Sequence, residues 1–259
     1  MLIFDHVSAG YTNKKPVLKD VSFSLPAGAL TALLGRNGSG KSTLFACVNR
    51  EVRYDGTILL DGIRHRSLRA RELARKAALL PQSLNKVHLT VRELASFGRN
   101  PHRTFGVRIG QEDREAVERA MQAVGVLPLA ERYTDQLSGG ERQKAYLAMV
   151  LAQETPLILL DEPTTYMDAA GQIEFMQLLA DICRTGGKTL FMATHDLAFA
   201  AKYADHLLIL DDGRVRFDGT VDECLTNHVM ESVFGVRQHV LYDKAERYIL
   251  FDAPKQGEM

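Results

Sequence analysis

Gly35-Arg36-Asn37-Gly38-Ser39-Gly40-Lys41-Ser42 is the stretch that decides the fold. It matches G-x-x-x-x-G-K-[ST], and each fixed position has a chemical reason. Glycines let successive backbone N–H groups curl around a phosphate. Lys41 sets a positive charge against the outer phosphates, and the Ser42 hydroxyl suits a Mg²⁺ ligand. Residues 29–34 form an apolar run into the loop and read as a buried strand. A helical pattern from about 41 to 49 follows, aiming its positive end at the same anion.

Working outward, residues 157–160 and 189–193 read as buried strands, and 169–184 and 197–204 as helices. This alternation predicts a mainly parallel sheet covered on both faces. Residues 207–210, Asp212-Gly213 and 215–217 read as a hairpin. Upstream, Val21, Phe23 and Leu25 alternate with serines as in a half-buried strand, and Asp55-Gly56 and Asp61-Gly62 bracket a strand at 57–60 as turns. From about 89 to 137 the pattern turns helical. Thr90 with Glu93 is a capping box, and Val117, Met121 and Val124 mark one face of a helix over 111–124. This segment reads as a helical subdomain inserted into an α/β core. Beyond Thr220 short helices and late strands are expected. Residues 239–242 and 248–251 are candidates for a small hairpin, packed on the core or on a second copy, and 255–259 for a disordered tail.

Composition narrows the classes. The 259 residues are 46% hydrophobic and 25% charged, enough apolar content for a sizeable core. Lys+Arg and Asp+Glu are equal at 32 each, which counts against a dedicated nucleic-acid binder. Cys47, Cys183 and Cys224 are scattered and odd in number, as for reduced thiols rather than a disulfide framework. No signal peptide is legible, and no stretch approaches the ~20 apolar residues of a membrane span. Work at a membrane would therefore need spans from another chain.

Two further constellations carry chemistry. The strand at 157–160 runs into Asp161-Glu162-Pro163. Carboxylates at the exit of a buried parallel strand lie where α/β folds bind ligands. Asp161 suits Mg²⁺, and Glu162 suits polarising an attacking water. Leu137-Ser138-Gly139-Gly140-Glu141 opens a helix over 141–153, read either as a second anion site or as an ordinary capped helix start.

Taken in order, these motifs resemble the ABC ATPase family over residues 1–235. The phosphate loop, Gln82 after Leu80-Pro81, the signature from Leu137 to Glu141, the acidic strand end, Asp168 and His195 after Ala193-Thr194 stand in the family's sequence. The resemblance implies a P-loop NTPase core of ABC ATPase type, with an N-terminal antiparallel β portion, a helical subdomain at about 88–155 and a short extension at 236–259. It implies ATP as substrate with Mg²⁺. The nucleotide contacts would be Tyr11 stacking on adenine, then Gly35, Arg36, Asn37, Gly38, Ser39, Gly40, Lys41, Ser42 and Thr43. Ser138, Gly139, Gly140 and Glu141 would close from the other subunit of a head-to-tail homodimer. Glu162, His195 and Gln82 would be catalytic, and Ser42, Gln82 and Asp161 would hold the metal.

A narrower resemblance lies in Gly98-Arg99-Asn100-Pro101-His102, in the run from Asp161 to Asp168, and in residues 145–153. These look like the ATPases of bacterial importers for ferric siderophores, haem and vitamin B12, especially the iron-siderophore members. Met167 and Lys144 depart mildly from the commoner Leu and Arg. The implied partners are two permease subunits and, indirectly, a substrate-binding protein. The implied place is the cytoplasmic face of the inner membrane, and residues 85–103 are the candidate permease contact. The alternative is a soluble ABC ATPase in DNA repair or cluster assembly. Against it, the stretch between Lys41 and Ser138 is short and carries no long heptad run.

Overall fold

A computed structural model describes residues 1–12, 15–84, 87–103, 110–244 and 246–253. Asn85 and Lys86 of the candidate permease contact, and the tail at 255–259, lie outside the described residues. From the N-terminus the chain forms β1 (Leu2–Ala9), β2 (Leu18–Ser24), β3 (Leu30–Gly35), α1 (Lys41–Val48), β4 (Tyr54–Leu60) and β5 (Ile63–Arg64). Then come α2 (Ala70–Ala74), β6 (Ala77–Leu80), α3 (Val91–Phe97), α4 (Gln111–Ala123), α5 (Gly139–Ala152), β7 (Leu157–Asp161) and α6 (Ala169–Gly186). The chain ends with β8 (Thr189–Ala193), α7 (Leu197–Tyr203), β9 (His206–Asp211), β10 (Arg214–Thr220), α8 (Val221–Thr226), α9 (Val229–Phe234), β11 (Arg237–Asp243) and β12 (Glu246–Asp252).

Two compact units divide these elements, Met1–Ser67 with Cys183–Met259, and Leu68–Ile182. In the first, β2, β1, β4 and β5 form an antiparallel sheet in that order. β3 pairs in parallel with β8 on one side and β9 on the other, and β10 closes on β9 antiparallel. Every residue of β3 and β8 is buried, as a strand covered on both faces requires. Phe23 connects the layers, stacking on Phe4 at 4.7 Å and lying 5.9 Å from Phe191, which meets Phe45 of α1 edge-on at 5.3 Å. The expected turn at Asp55-Gly56 is corrected: both residues lie inside β4, opposite a register shift in β1 between Asp5 and Ser8. Gly56 has φ +91°, and a Cβ there would meet the His6 carbonyl at 2.2 Å. The glycine accommodates a bulge rather than a reversal. Asp212-Gly213 is the turn expected, with both φ values positive as a tight hairpin needs. β11 and β12 pair antiparallel from Arg237↔Asp252 to Asp243↔Glu246.

In the second unit β6 and β7 pair in parallel, Leu80 opposite Leu160. Thr90 caps α3 as its sequence implied: its hydroxyl accepts from Glu93 N while Glu93 receives the Thr90 N–H at 2.8 Å. α3 and α5 approach so closely that a Cβ on Gly98 would meet the Met149 carbonyl at 2.1 Å. Arg99, only 6% exposed, ties this packing together through Asp113 at 2.8 Å, Glu154 at 2.7 Å and the Ala152 carbonyl at 2.7 Å. The Gly98-Arg99 pair is thus part of the scaffold. A buried guanidinium with three partners escapes the penalty of an unpaired buried charge.

Candidate functional site

The phosphate loop leaves the buried end of β3 and enters α1. Gly35 has no room for a side chain: a Cβ would lie 2.3 Å from Ser39 Oγ and 2.6 Å from the Leu210 carbonyl. Gly38 and Gly40 hold φ at +80° and +110°, a region that favours glycine. Gly40 is the α1 N-cap and has no side-chain cap, and the first turn carries no acidic residue. The helix therefore presents N–H groups and its positive end without a competing carboxylate. Lys41 is buried and folds back across the loop, donating to the Gly35 carbonyl at 2.7 Å. Ser39 Oγ is buried with no hydrogen-bond partner among the described residues. An orphaned hydroxyl, an uncapped helix start and a lysine meeting at one loop fit a phosphate.

His195 follows β8 and is exposed, and Thr194 and Asp196 shape the turn that carries it. Asp196 N donates to Thr194 Oγ1 at 3.1 Å, and Asp196 Oδ1 accepts from Phe199 N at 2.8 Å, capping α7. These positioning residues were missed in the sequence, although an Asp three places before a helical Phe is a legible N-cap signal. Tyr11 is 67% exposed, so its ring is open to stack.

The second unit holds the remaining residues. Asp161 ends β7 and Glu162 follows with φ +45°, an uncommon conformation for a non-glycine. Thr165 steadies that turn, its hydroxyl donating to the Glu162 carbonyl at 2.9 Å. Gln82 Nε2 donates to Glu162 Oε2 at 2.7 Å, so two residues 80 positions apart meet directly. The Gly139 backbone approaches the same loop closely, since a Cβ there would lie 2.7 Å from the Tyr166 carbonyl.

The signature start is a complete capping box. Ser138 Oγ accepts from Glu141 N at 3.3 Å, and Glu141 Oε2 receives the Ser138 N–H at 2.9 Å and its hydroxyl at 2.8 Å. The Ser138 backbone N–H, and then its hydroxyl, hold the Glu141 carboxyl below the usual carboxylate range. Glu141 is thereby engaged in holding the helix start, while the Gly139 and Gly140 N–H groups stay on the outer turn.

For a metal, Ser42 in the first unit and Gln82 and Asp161 in the second are each an oxygen donor of the kind Mg²⁺ takes. Among the described residues no group of three or more His, Cys, Asp and Glu side chains could hold a metal ion.

Comparison with known families matches residues 18–165 to the ABC transporter family. The chain belongs to this family as an ABC-type ATPase. It is 40% identical over 241 residues to the ferric enterobactin transport ATP-binding protein FepC of Escherichia coli (strain K12), covering 92% of this chain and 89% of that one. It is 37% identical over 241 residues to the iron(3+)-hydroxamate import ATP-binding protein FhuC of Bacillus subtilis (strain 168), with the same coverage of 92% and 89%. Among solved structures, the dimeric post-hydrolysis state of the ATP-binding cassette MJ0796 bound to ADP and Pi aligns with TM-score 0.72 and 27% identity, covering 85% of this chain and 99% of that one. Among the described residues no helix is long and apolar enough to cross a membrane.

Proposed function

We propose that this chain is the ATP-hydrolysing subunit of a bacterial importer for ferric siderophores, acting as a head-to-tail pair beneath two permease subunits at the cytoplasmic face of the membrane. The observation that carries the reading is the phosphate cradle at Gly35–Lys41, an anion site with its own lysine and uncapped helix. The transport names of the FepC and FhuC relatives support the ferric-siderophore cargo class; haem and vitamin B12 stand as the alternative cargoes of the sequence resemblance. A substrate-binding protein would deliver the cargo, and the chain itself would not touch it.

In this reading one copy grips ATP with the backbone of residues 35–43 and with Lys41, while Tyr11 stacks on the adenine. Ser138, Gly139 and Gly140 of the second copy close over the γ-phosphate with their helix start. Glu162 accepts the proton of the attacking water, and His195 orients that water against the γ-phosphate. Mg²⁺, held by Ser42, Asp161 and Gln82, would neutralise charge developing on the phosphate oxygens. Gln82 donates to Glu162 Oε2, which holds the carboxylate in place and leaves Oε1 to face the water. A groove of about 420 Å³ bounded by Leu89, Arg92, Phe97, Asn100 and Arg103 is the proposed seat of the permease. Phe97 is half exposed there, as an anchor for a partner helix would be.

The test is capture of the tagged chain from detergent-solubilised membranes. A polytopic permease released or rearranged by ATP with Mg²⁺ supports the importer reading. Recovery only from the soluble fraction, with nucleic acid or an assembly factor, overturns it.

A further inference from the structure

The antiparallel part of the first unit contains a second cationic site that the nucleotide chemistry does not use. A cavity of about 500 Å³ is lined by Arg50, Arg53, Tyr54, Asp55, His65 and Arg66. Three guanidiniums face one carboxylate. Among the described residues none of the three forms an ion pair with Asp or Glu, and Arg53 makes no side-chain hydrogen bond. All three arginines and Asp55 are exposed, so water solvates these charges in the free protein and a matching anion would take its place.

The wall behind the arginines is fixed in place. His65 is fully buried. Its Nε2 lies 2.7 Å from the Val48 carbonyl, which can only accept, so Nε2 carries the proton. Nδ1 then accepts from the Tyr54 hydroxyl at 3.0 Å. Burial pushes the His65 imidazole below its ordinary value, so it adds no charge at neutral pH. Arg50 donates to the His65 carbonyl, and the Arg66 guanidinium lies 4.2 Å above the Tyr54 ring. The Tyr54 and His65 side chains thus hold each other, and Arg66 rests on the result.

We propose that this cavity binds the phosphate group of a small phosphomonoester. Three positive charges against Asp55 leave a surplus of two, and a phosphomonoester carries about −1.5 to −2 at neutral pH. Planar guanidiniums pair with phosphate and carboxylate oxygens alike, and the surplus of two charges favours the phosphate dianion over a singly charged carboxylate. The cavity is larger than a phosphate alone, leaving space for an organic body beside Tyr54. None of its lining residues belongs to the loop from Gly35 to Thr43, so it is separate from the ATP phosphate cradle. It is nonetheless close to the adenine side in sequence pairing: Tyr54 sits opposite Ala9, two residues before Tyr11. A soluble phosphomonoester and a phosphatidic-acid headgroup share the chemistry required.

The experiment titrates the ADP-saturated full chain with glycerol 3-phosphate by calorimetry, and in parallel floats it with phosphatidylcholine vesicles with and without phosphatidic acid. The expected result is binding that survives Lys41→Ala and weakens about ten- to hundredfold in the Arg53→Gln/Arg66→Gln double variant. Dependence on those arginines in the vesicle arm alone supports the site and names the lipid as the source. Arg66→Lys, which keeps the charge but loses the planar fork, should give a smaller loss at unchanged melting temperature. Absence of binding in both arms, or binding lost in Lys41→Ala and kept in the arginine variants, overturns the proposal.

Discussion

The loop at Gly35–Ser42 and the loop at Ser138–Glu141 use the same vocabulary, serine and glycine before a helix, yet the structure gives them opposite electrostatics. At the first, α1 starts at an uncapped Gly40 with no acid in its first turn and a lysine folded into the loop. At the second, Ser138 and Glu141 satisfy each other, and a carboxylate stands against the positive end of α5. The first loop has the features of an anion site by itself. The second spends part of its donor capacity on its own helix, so it suits a secondary contact on an anion already held elsewhere. A glycine-rich helix start is therefore not one device but two, and the residue three places after the cap distinguishes them.

The largest effect expected lies beside the second loop. Glu162→Gln should lower steady-state ATP turnover by about 10²- to 10⁴-fold while nucleotide binding persists. Normal hydrolysis by this variant would remove Glu162 from the chemistry. Next, Lys41→Ala takes the cation out of the first loop. ATP affinity of the isolated chain should fall about ten- to hundredfold, the loss of a charged hydrogen bond of about 1.5–3 kcal/mol. Fluorescent-nucleotide binding reads this directly, and unchanged affinity would contradict the cradle.

Ser138→Ala sharpens the contrast at smaller scale. Loss of the cap should cost about 1 kcal/mol in denaturant unfolding, with ATP affinity of the isolated chain unchanged. Acid exposes the same linkage. The Glu141 carboxyl is held below its ordinary value of 4.5, so its stabilisation is complete above that value and is lost as pH falls through the lowered folded value. The stability gap between wild type and Ser138→Ala should therefore be constant near neutrality and narrow only in that acid window. A gap that instead widened in acid would show that Glu141 is not the partner.

Local chemistry was the part of this molecule legible in sequence. Thr90 with Glu93, Asp212 with Gly213, and the apolar runs of β3, β7 and β8 depend on neighbours a few residues apart, and all form as patterned. Asp55-Gly56 misled because a glycine with positive φ serves a bulge as readily as a turn, and only the pairing of β1 with β4 distinguishes them. The site was legible as motifs but not as contacts. Nothing local to Gln82 or Glu162 reveals that their side chains bond. Arg99, read from its motif as a mark of lineage, is held by Asp113 and Glu154 from distant parts of the same unit. The arginine cavity escaped notice because its residues come from two separate stretches, 50–55 and 65–66, in a chain whose total charge is balanced.

The central claim is that the first loop holds ATP and the second closes on it from another copy. The most direct test measures the mass in solution of Glu162→Gln with and without Mg²⁺ and ATP, alone and combined with Ser138→Arg. The account predicts an ATP-dependent dimer for Glu162→Gln, and a monomer that still binds ATP for the double variant. A double variant that dimerises with ATP as readily as Glu162→Gln would contradict it.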